Sequence, residues 1–248
     1  MGNEVYVITG GTRGIGAATA RQLARAQGRT LILAYRSDAD AADRIVAELD
    51  APGSPVIAVQ CDVADPAAIE TLFQTVDEYG DLAAVVNSAG IVGRQSSFVD
   101  IDADRWRNML QVNVIGTALC CREAVRRMRQ RPAGARAIVN ISSKASVLGS
   151  PNEYVDYAAS KGAVDSLTRG LALEVAAEGI RVNSIRAGII DTEIHILGGE
   201  PRRADRVGPM QPMGRAGTAQ EVADAVTWLL SDRASYVTGT FIDVSGGR

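Results

Sequence analysis

Short apolar runs of strand length alternate with longer segments of helical periodicity along almost the whole chain. Runs that are apolar throughout are typical of strands that are buried on both faces of a parallel sheet. Parallel strands need long crossover connections, usually helices, and these helices then cover both faces of the sheet. The sequence therefore predicts an α/β fold in which about seven parallel strands form a doubly wound sheet with helices on both faces.

The alternation also gives approximate bounds for each element. We predict strands at residues 5–9, 30–35, 56–61, 82–87, 137–141, 181–185 and 240–244. Helices are predicted at residues 14–27, 39–50, 66–79, 103–131, 153–178 and 219–230. No repeat, low-complexity tract or linker divides the chain, so we predict a single domain over residues 1–248.

The segment 188–217 departs from the alternation of strands and helices. It contains Pro201, Pro209 and Pro212, several glycines and the basic pair Arg202 and Arg203. The segment follows the carboxyl end of a predicted strand, which is where open α/β sheets bind ligands. Long irregular segments in compact domains are often functional. We therefore predict that residues 188–217 form a lid over the substrate.

Composition excludes several classes of protein. The formal net charge is −3, whereas a nucleic-acid partner needs a large positive excess. Cys61, Cys120 and Cys121 lack metal-binding spacing, and we expect them to be reduced thiols rather than metal ligands or disulfides. No apolar run is long enough to cross a bilayer, and no secretory signal precedes the first strand. We expect a cytoplasmic protein with no metal site and no nucleic-acid or membrane partner.

A glycine-rich turn, Thr9-Gly10-Gly11-Thr12-Arg13-Gly14-Ile15-Gly16, joins the first predicted strand to the first helix. Glycine permits a tight turn and close approach of the backbone to an anion, because it lacks a β-carbon. The new helix then offers free N–H groups and the positive end of its dipole to a diphosphate. The spacing differs from the common G-x-G-x-x-G pattern, but the position between strand and helix predicts a dinucleotide site.

The end of the second strand indicates which dinucleotide binds. An acidic residue at this position would hold the ribose hydroxyls of NAD, but the chain has Tyr35-Arg36-Ser37 there. Arg13, within the glycine-rich turn, can reach the same pocket, and guanidinium groups match the oxygens of a 2′-phosphate. We expect NADP(H) to be preferred. Asp38 and Asp40 follow immediately, so NAD(H) stays possible.

Tyr157 and Lys161 lie four residues apart on a long predicted helix and therefore share one face. A nearby ammonium favours the phenolate form and is expected to lower the pKa of Tyr157 by roughly one to three units. A phenol with that pKa is a useful proton donor or acceptor nearer to neutral pH.

Three further motifs accompany this pair: Asn87-Ser88-Ala89-Gly90 after the fourth strand, Asn113 in a long helix, and Ser142-Ser143 after the fifth strand. With the glycine-rich turn, the set resembles the short-chain dehydrogenase/reductase family in order and spacing. The resemblance covers nearly the whole chain and implies a Rossmann-type sheet that binds a nicotinamide dinucleotide.

The resemblance also implies roles for individual residues. Tyr157 is expected to donate the proton in reduction, Lys161 to bind the nicotinamide ribose, and Ser143 to bind the substrate carbonyl. Asn113 resembles the asparagine that holds a water in the proton relay. The residues implied for the cofactor are Gly10, Thr12, Arg13, Gly14, Ile15, Gly16, Tyr35, Arg36, Ser37, Asp62, Val63, Asn87, Ala89, Gly90, Tyr157, Lys161, Gly188, Ile190 and Thr192.

The chain departs from the family pattern in two places. Ala187 precedes Gly188 where the family usually has a proline, which predicts a looser loop around Ile190 and Thr192. The interval from Ser143 to Tyr157 is about one residue longer than in many members. We expect the loop at residues 150–152 to accommodate the extra residue.

The function implied is hydride transfer between NADP(H) and a carbonyl or secondary alcohol. Segments around Tyr154 and His195 resemble bacterial members with glucose 1-dehydrogenase-type activity, so a sugar or other small polar substrate is expected, contacted by Ser143, Tyr157, Arg94 and His195. An alternative is a 3-oxoacyl-[acyl-carrier-protein] reductase that docks its carrier on Arg126, Arg127, Arg129 and Arg131, although the acidic Glu178 opposes docking. A nucleotide-sensing regulator without activity is a third interpretation.

The helix at 153–178 carries apolar or small residues on more than one face, which is more than its own sheet can cover. We therefore expect a symmetric homo-oligomer, a homotetramer by resemblance or else a homodimer.

Overall fold

The computed structural model of the chain describes residues 3–130, 134 and 136–248. Seven parallel strands form one sheet in the order β3-β2-β1-β4-β5-β6-β9. These strands are β1 (Glu4–Thr9), β2 (Arg29–Tyr35), β3 (Val56–Gln60), β4 (Asp81–Asn87), β5 (Arg136–Ser143), β6 (Ile180–Ala187) and β9 (Phe241–Val244). The predicted doubly wound sheet of about seven strands is confirmed.

Helices follow the strands and cover the sheet. They are α1 (Gly14–Ala24), α2 (Ala39–Leu49), α3 (Pro66–Tyr79), α4 (Ala103–Leu110), α5 (Thr117–Gln130), α6 (Ala145–Leu148), α7 (Val155–Val175), α8 (Ile194–Leu197), α9 (Arg203–Val207) and α10 (Ala219–Leu230). A second, two-stranded sheet joins β7 (Ile190–Asp191) to β8 (Gly217–Thr218).

Side chains of each strand alternate between two cores, one on each face of the sheet. In β1, Val5 and Val7 face the core formed with α3, α5 and α7, which includes Phe73. Tyr6 and Ile8 face the opposite core, which is formed with α1, α2 and α10. Burial on both faces explains why the strand sequences are apolar without alternation.

The strand order reverses direction between β1 and β4. The chain runs from β1 outward to β2 and β3, and then returns to place β4 on the other side of β1. The connections that leave β1 and β4 therefore diverge, and they open a crevice at the carboxyl ends of these strands, which is the usual ligand site of such sheets.

The helix predicted at 103–131 is interrupted. Between α4 and α5 the backbone forms a wide π-helical turn, Gln111–Gly116, with Asn113 inside it. The amide of Asn113 bonds the backbone of Ile91, and the Thr117 hydroxyl donates to the Asn113 carbonyl. Sequence periodicity cannot reveal one extra residue in a turn, and π-helical turns are frequent at functional sites. Arg131, the predicted last residue of this helix, lies outside the described residues.

The segment 188–217 contains short regular elements rather than irregular chain alone. It begins with β7, continues through α8 and α9, and reaches β8, which pairs with β7. The segment thus returns to its starting point beside the sheet. Its function as a lid and the one-domain organisation of residues 1–248 stay predictions.

Candidate active site

The glycine-rich turn leaves the amino end of α1 open. Gly10 and Gly14 adopt φ values of +63° and +52°, in the left-handed region that favours glycine. A β-carbon on Gly16 would lie 2.2 Å from the Gly10 carbonyl oxygen, so the turn packs too tightly for any other residue. Arg13 at the N-cap makes no side-chain capping hydrogen bond, and the first turn has no acidic residue. Free N–H groups and the helix dipole therefore fit an anionic diphosphate.

A cavity of about 290 Å³ extends from this turn across the carboxyl edge of the sheet. Its end beside the carboxyl end of β2 is lined by Arg13, Tyr35, Arg36 and Ser37, together with Asp38. Asp38 caps α2 by accepting from the Ala41 N–H, and its other oxygen lies 3.4 Å from Arg13. Within the described part of the chain, Arg36 forms no ion pair, so its guanidinium stays available to a phosphate.

The opposite end of the cavity contains Ser143, Tyr157 and Lys161. Ser143 ends β5, where its hydroxyl oxygen accepts from the Ala145 N–H at 3.1 Å. Tyr157 lies in the first turn of α7. Burial raises the pKa of Tyr157, and a side-chain hydrogen bond with Ser143 acts in the opposite direction. The expectation that Lys161 lowers this pKa is wrong for the protein without ligands, because loss of hydration dominates.

Lys161 is almost fully buried one helical turn after Tyr157. Its ammonium donates to the Ile141 carbonyl at 2.8 Å and lies 5.7 Å from the centre of the Tyr157 ring. Burial lowers the pKa of Lys161 to about 8, and the charge of Asp165 opposes this shift. One of the three ammonium donors is used by the protein, so the others are available to oxygen atoms in the cavity.

Most predicted site residues line this one cavity. These are Gly10, Thr12, Arg13, Gly14, Ile15, Tyr35, Arg36, Ser37, Asp62, Val63, Ala89, Gly90, Ser143, Tyr157, Lys161, Gly188, Ile190, Thr192 and His195. The cavity brings together residues from six strand ends because parallel strands all terminate at the same edge.

Four predicted residues do not line the cavity. Gly16 packs beneath Gly10, and the Asn87 amide donates to the buried Asn140. Asn113 is fully buried and bonds Ile91 and Ser160, so it supports the loop after β4. Arg94 is exposed and lies against Gly199. Arg94 does not line the cavity in this structure, and its contact with the substrate stays a prediction.

Comparison with known proteins decides the family. A family model described as enoyl-(acyl carrier protein) reductase matches residues 10–248. An uncharacterised oxidoreductase of Escherichia coli, YgfF, is 51% identical over 98% of this chain and 99% of its own length. The 3β-hydroxysteroid dehydrogenase 1 of Eggerthella lenta is 38% identical, over 98% of this chain and 93% of its own. The chain belongs to the short-chain dehydrogenase/reductase family.

A solved structure of another short-chain dehydrogenase, from Burkholderia cenocepacia in complex with NADP, has the same fold. The two superpose with a TM-score of 0.88 at 32% identity, over 99% of this chain and 97% of the other. Membership of the family makes this chain a nicotinamide-dependent oxidoreductase of alcohol or carbonyl groups. The interpretation as a regulator without activity is set aside.

In this short-chain dehydrogenase/reductase, local backbone contacts and turns accommodate the two departures from the family pattern. The Gly188 N–H donates to the Val244 carbonyl, and the Ala187 carbonyl accepts from the Lys144 N–H. These bonds to neighbouring strands hold the backbone where a proline is absent. In the longer loop, Ser150 and Asn152 adopt φ values of 44° and 60°, which turn the chain back towards α7.

Sequence reasoning missed an ion pair beside Tyr157. Asp156 is fully buried and accepts two hydrogen bonds from Arg105 of α4, at 2.7 and 2.9 Å. The same guanidinium packs on Gly93, where a β-carbon would approach it to 2.5 Å. The pair fixes the first turn of α7 against α4 and the loop after β4. Residues fifty apart in sequence give no periodic signal of such a contact.

The proposed carrier dock is occupied by internal ion pairs. Arg126 and Arg127 bond Glu123, Arg127 also bonds Asp77, and Arg129 forms a two-pronged pair with Glu178. Arg131 lies outside the described residues. The arginines that the structure describes therefore do not form an unpaired basic surface for an acidic carrier.

Two features are absent from residues 3–130, 134 and 136–248. No helix there is long and apolar enough to cross a membrane. No three histidine, cysteine, aspartate or glutamate side chains come together there as a metal site.

Replacement of Gly16 by alanine should weaken binding of NADPH by at least about tenfold, because the new β-carbon forces the glycine-rich turn apart. Titration of nucleotide fluorescence measures the effect. Gly170→Ala is the control, since a β-carbon there meets no atom within 4 Å. Equal affinity of the Gly16→Ala and wild-type proteins would show that the turn does not bind the diphosphate.

Lys161 should make stability depend on pH in the protein without cofactor. Its pKa is about 8 when folded and 10.5 in a model peptide, so between these values the unfolded chain holds the extra proton. Stability relative to a Lys161→Met variant should therefore rise with pH in this interval, by at most about 1.4 kcal/mol per pH unit. Urea denaturation from pH 7 to 10 measures the difference, and a constant difference would contradict the burial of a charged lysine.

Proposed function

We propose that the protein is an NADP(H)-dependent oxidoreductase that interconverts a ketone or aldehyde and the corresponding alcohol. The observation that carries the proposal is one cavity lined by an open helix amino end, by Arg36 and by the group of Ser143, Tyr157 and Lys161. Arg36 has no ion-pair partner among the described residues. The first two features suit a phosphorylated dinucleotide, and the last three suit proton transfer to an oxygen atom.

The cofactor and three residues of the site have separate roles in the proposed reaction. A bound nicotinamide supplies the hydride chemistry. Ser143 donates a hydrogen bond to the carbonyl oxygen of the substrate, and Tyr157 gives that oxygen its proton. Because burial keeps Tyr157 protonated, its hydroxyl is in the donor form that reduction requires. Lys161 holds ribose hydroxyls with its free donors and adds positive charge beside the phenol as a proton leaves it.

The preference for NADP(H) is also a proposal. Support comes from two guanidinium groups at the adenosine end, Arg13 and Arg36, and from the absence of a carboxylate at the end of β2 itself. Asp38 is an acidic residue that lines the cavity just after β2. Its carboxylate is engaged by α2 and Arg13, which reduces its repulsion of a 2′-phosphate.

A sugar or other small polar compound is our proposed substrate class. Polar groups of Ser150 and His195 line the substrate end, beside apolar walls from Val92 and Leu197. The ring of His195 bonds the Ile190 carbonyl, and burial lowers the pKa of His195, so the ring is neutral at physiological pH. His195 therefore offers a hydrogen bond to the cavity without adding a charge.

We also infer a homotetramer or homodimer in the cytoplasm. Apolar side chains of the helical face beside the π-helical turn and of α7 are exposed in the single chain, namely Leu110, Ile115 and Leu173. A second copy of the chain would cover them. The three free, buried cysteines fit a reducing compartment.

Tyr157→Phe should lower kcat for ketone reduction by at least about a hundredfold, since it removes the proton donor but keeps the ring. NADPH affinity should change less than about threefold, because Lys161 and the glycine-rich turn are intact. Steady-state kinetics and fluorescence titration give the two values. The exposed Tyr79→Phe variant is the control. Turnover near the wild-type rate would remove Tyr157 from the proposed role.

Arg36→Ala should raise KM for NADPH by about tenfold or more and leave KM for NADH nearly unchanged, because a charged hydrogen bond contributes about 1.5–3 kcal/mol. Arg25→Ala removes the same charge from an exposed position outside the cavity and is the matched control. An equal rise for both nucleotides would contradict a contact between Arg36 and the 2′-phosphate.

A further inference from the structure

A second phenol, Tyr154, lies in the same cavity three residues before Tyr157. Its side chain is only 6% exposed. The Tyr154 N–H donates to the Ser150 carbonyl at 3.1 Å, and its carbonyl accepts from the Ala158 N–H at 2.9 Å. Tyr154 is therefore anchored on one side by the turned loop at Ser150 and on the other by the beginning of α7.

The ring of Tyr154 is held in place from the segment that follows β6. The Arg203 guanidinium, from α9, lies 4.9 Å from the ring centre and is itself almost fully buried. Arg203 donates to Glu153 at 2.6 Å and to Glu200 at 3.1 Å. A cation over an aromatic face attracts the ring more strongly when the pair is removed from water. The ring is thus fixed by a contact that leaves its hydroxyl free.

No group in the described part of the chain forms a hydrogen bond with the Tyr154 hydroxyl. A buried tyrosine usually has a partner for this group, and the oxygen is not among the sealed, unpaired polar atoms of the interior. Because Tyr154 lines the cavity, we expect a ligand there to supply the missing partner. Burial raises the pKa of Tyr154, so the group is a neutral phenol that both donates and accepts.

The surroundings specify the kind of group that fits there. Glu153 and Glu200 are neutralised by Arg203 and Arg206, so no net charge is left in this network to attract an ion. The cavity that Tyr154 lines also contains apolar residues, namely Val92, Leu148, Ile194 and Leu197. A ligand atom beside Tyr154 is therefore best uncharged and oxygen-bearing, on a carbon frame.

We propose that the Tyr154 hydroxyl binds a second, uncharged oxygen of the substrate, so that the enzyme acts on carbonyl compounds carrying a further hydroxyl, ketone or ether oxygen. This inference rests on the proposed function and makes the substrate class narrower. Tyr154 acts as a specificity determinant, and Arg203 positions it.

A panel of ketone pairs tests the inference. Each pair shares one carbon frame, cyclic or linear, and one member carries a second oxygen; 4-hydroxycyclohexanone and cyclohexanone are one such pair. The wild-type enzyme should favour the oxygenated member of its best pair in kcat/KM. In Tyr154→Phe this ratio should fall about tenfold, mainly through KM, because one hydrogen bond is lost and the ring stays. The Tyr79→Phe control should keep the ratio.

The outcomes distinguish a failure of the role of Tyr154 from a failure of the proposed function. A wild-type enzyme that reduces ketones without preferring the oxygenated member, or a Tyr154→Phe variant that keeps the ratio, overturns the role of Tyr154 alone. Tyr157→Phe should lose both members of the pair equally, unlike Tyr154→Phe. A wild-type protein that reduces no ketone or aldehyde in the panel overturns the proposed function and, with it, this inference.

Discussion

A positive charge held inside the protein governs the rest of the site. Lys161 is 6% exposed, yet within the described residues its ammonium donates only one hydrogen bond, to the Ile141 carbonyl of β5. Burial of an incompletely bonded ammonium costs free energy, and the lowered pKa of Lys161 expresses this cost. Oxygen atoms that bind in the cavity beside Lys161 relieve it. The same group thus destabilises the empty fold slightly and strengthens ligand binding, as is usual for functional sites.

Compensating charges extend from this lysine through the sheet. Asp165, one turn further along α7, raises the pKa of Lys161 and forms an ion pair with Arg186 of β6. The Arg186 guanidinium lies 4.3 Å from the ring centre of Phe241 in β9. The chain contains only two lysines, Lys144 and Lys161, and both line the cavity, while the other basic side chains are arginines and His195. Arginine keeps its proton under all ordinary conditions, so the ammonium that can change its charge is confined to the site.

Features that depend on hydrophobic periodicity, or on the position of a residue at the end of a strand, were predicted correctly from the sequence. All seven strands of the main sheet lie within a few residues of their predicted bounds, because burial on both faces leaves an unbroken apolar run. Nineteen of the predicted site residues share one cavity, because the edge of a parallel sheet collects residues that follow each strand. The direction of the Tyr157 pKa shift was not predictable, since it depends on burial by elements distant in sequence. The position of Arg94 outside the cavity was not predictable for a similar reason, since the path of a loop is set by packing.

Contacts between residues far apart in the sequence could not be predicted, and these contacts shape the substrate pocket. Arg105 reaches Asp156, and Arg203 reaches Tyr154, over fifty residues or nearly so. Neither pair belongs to a sequence motif. The first pair fixes Asp156, which precedes Tyr157 in the chain, and the second fixes Tyr154, which lines the same cavity as Tyr157. The chemistry depends on strand ends that the sheet fixes, whereas the shape of the substrate pocket depends on loops joined by these side chains. A change of substrate can therefore arise in α9 and the loop before α7 without disturbing the residues proposed for proton transfer.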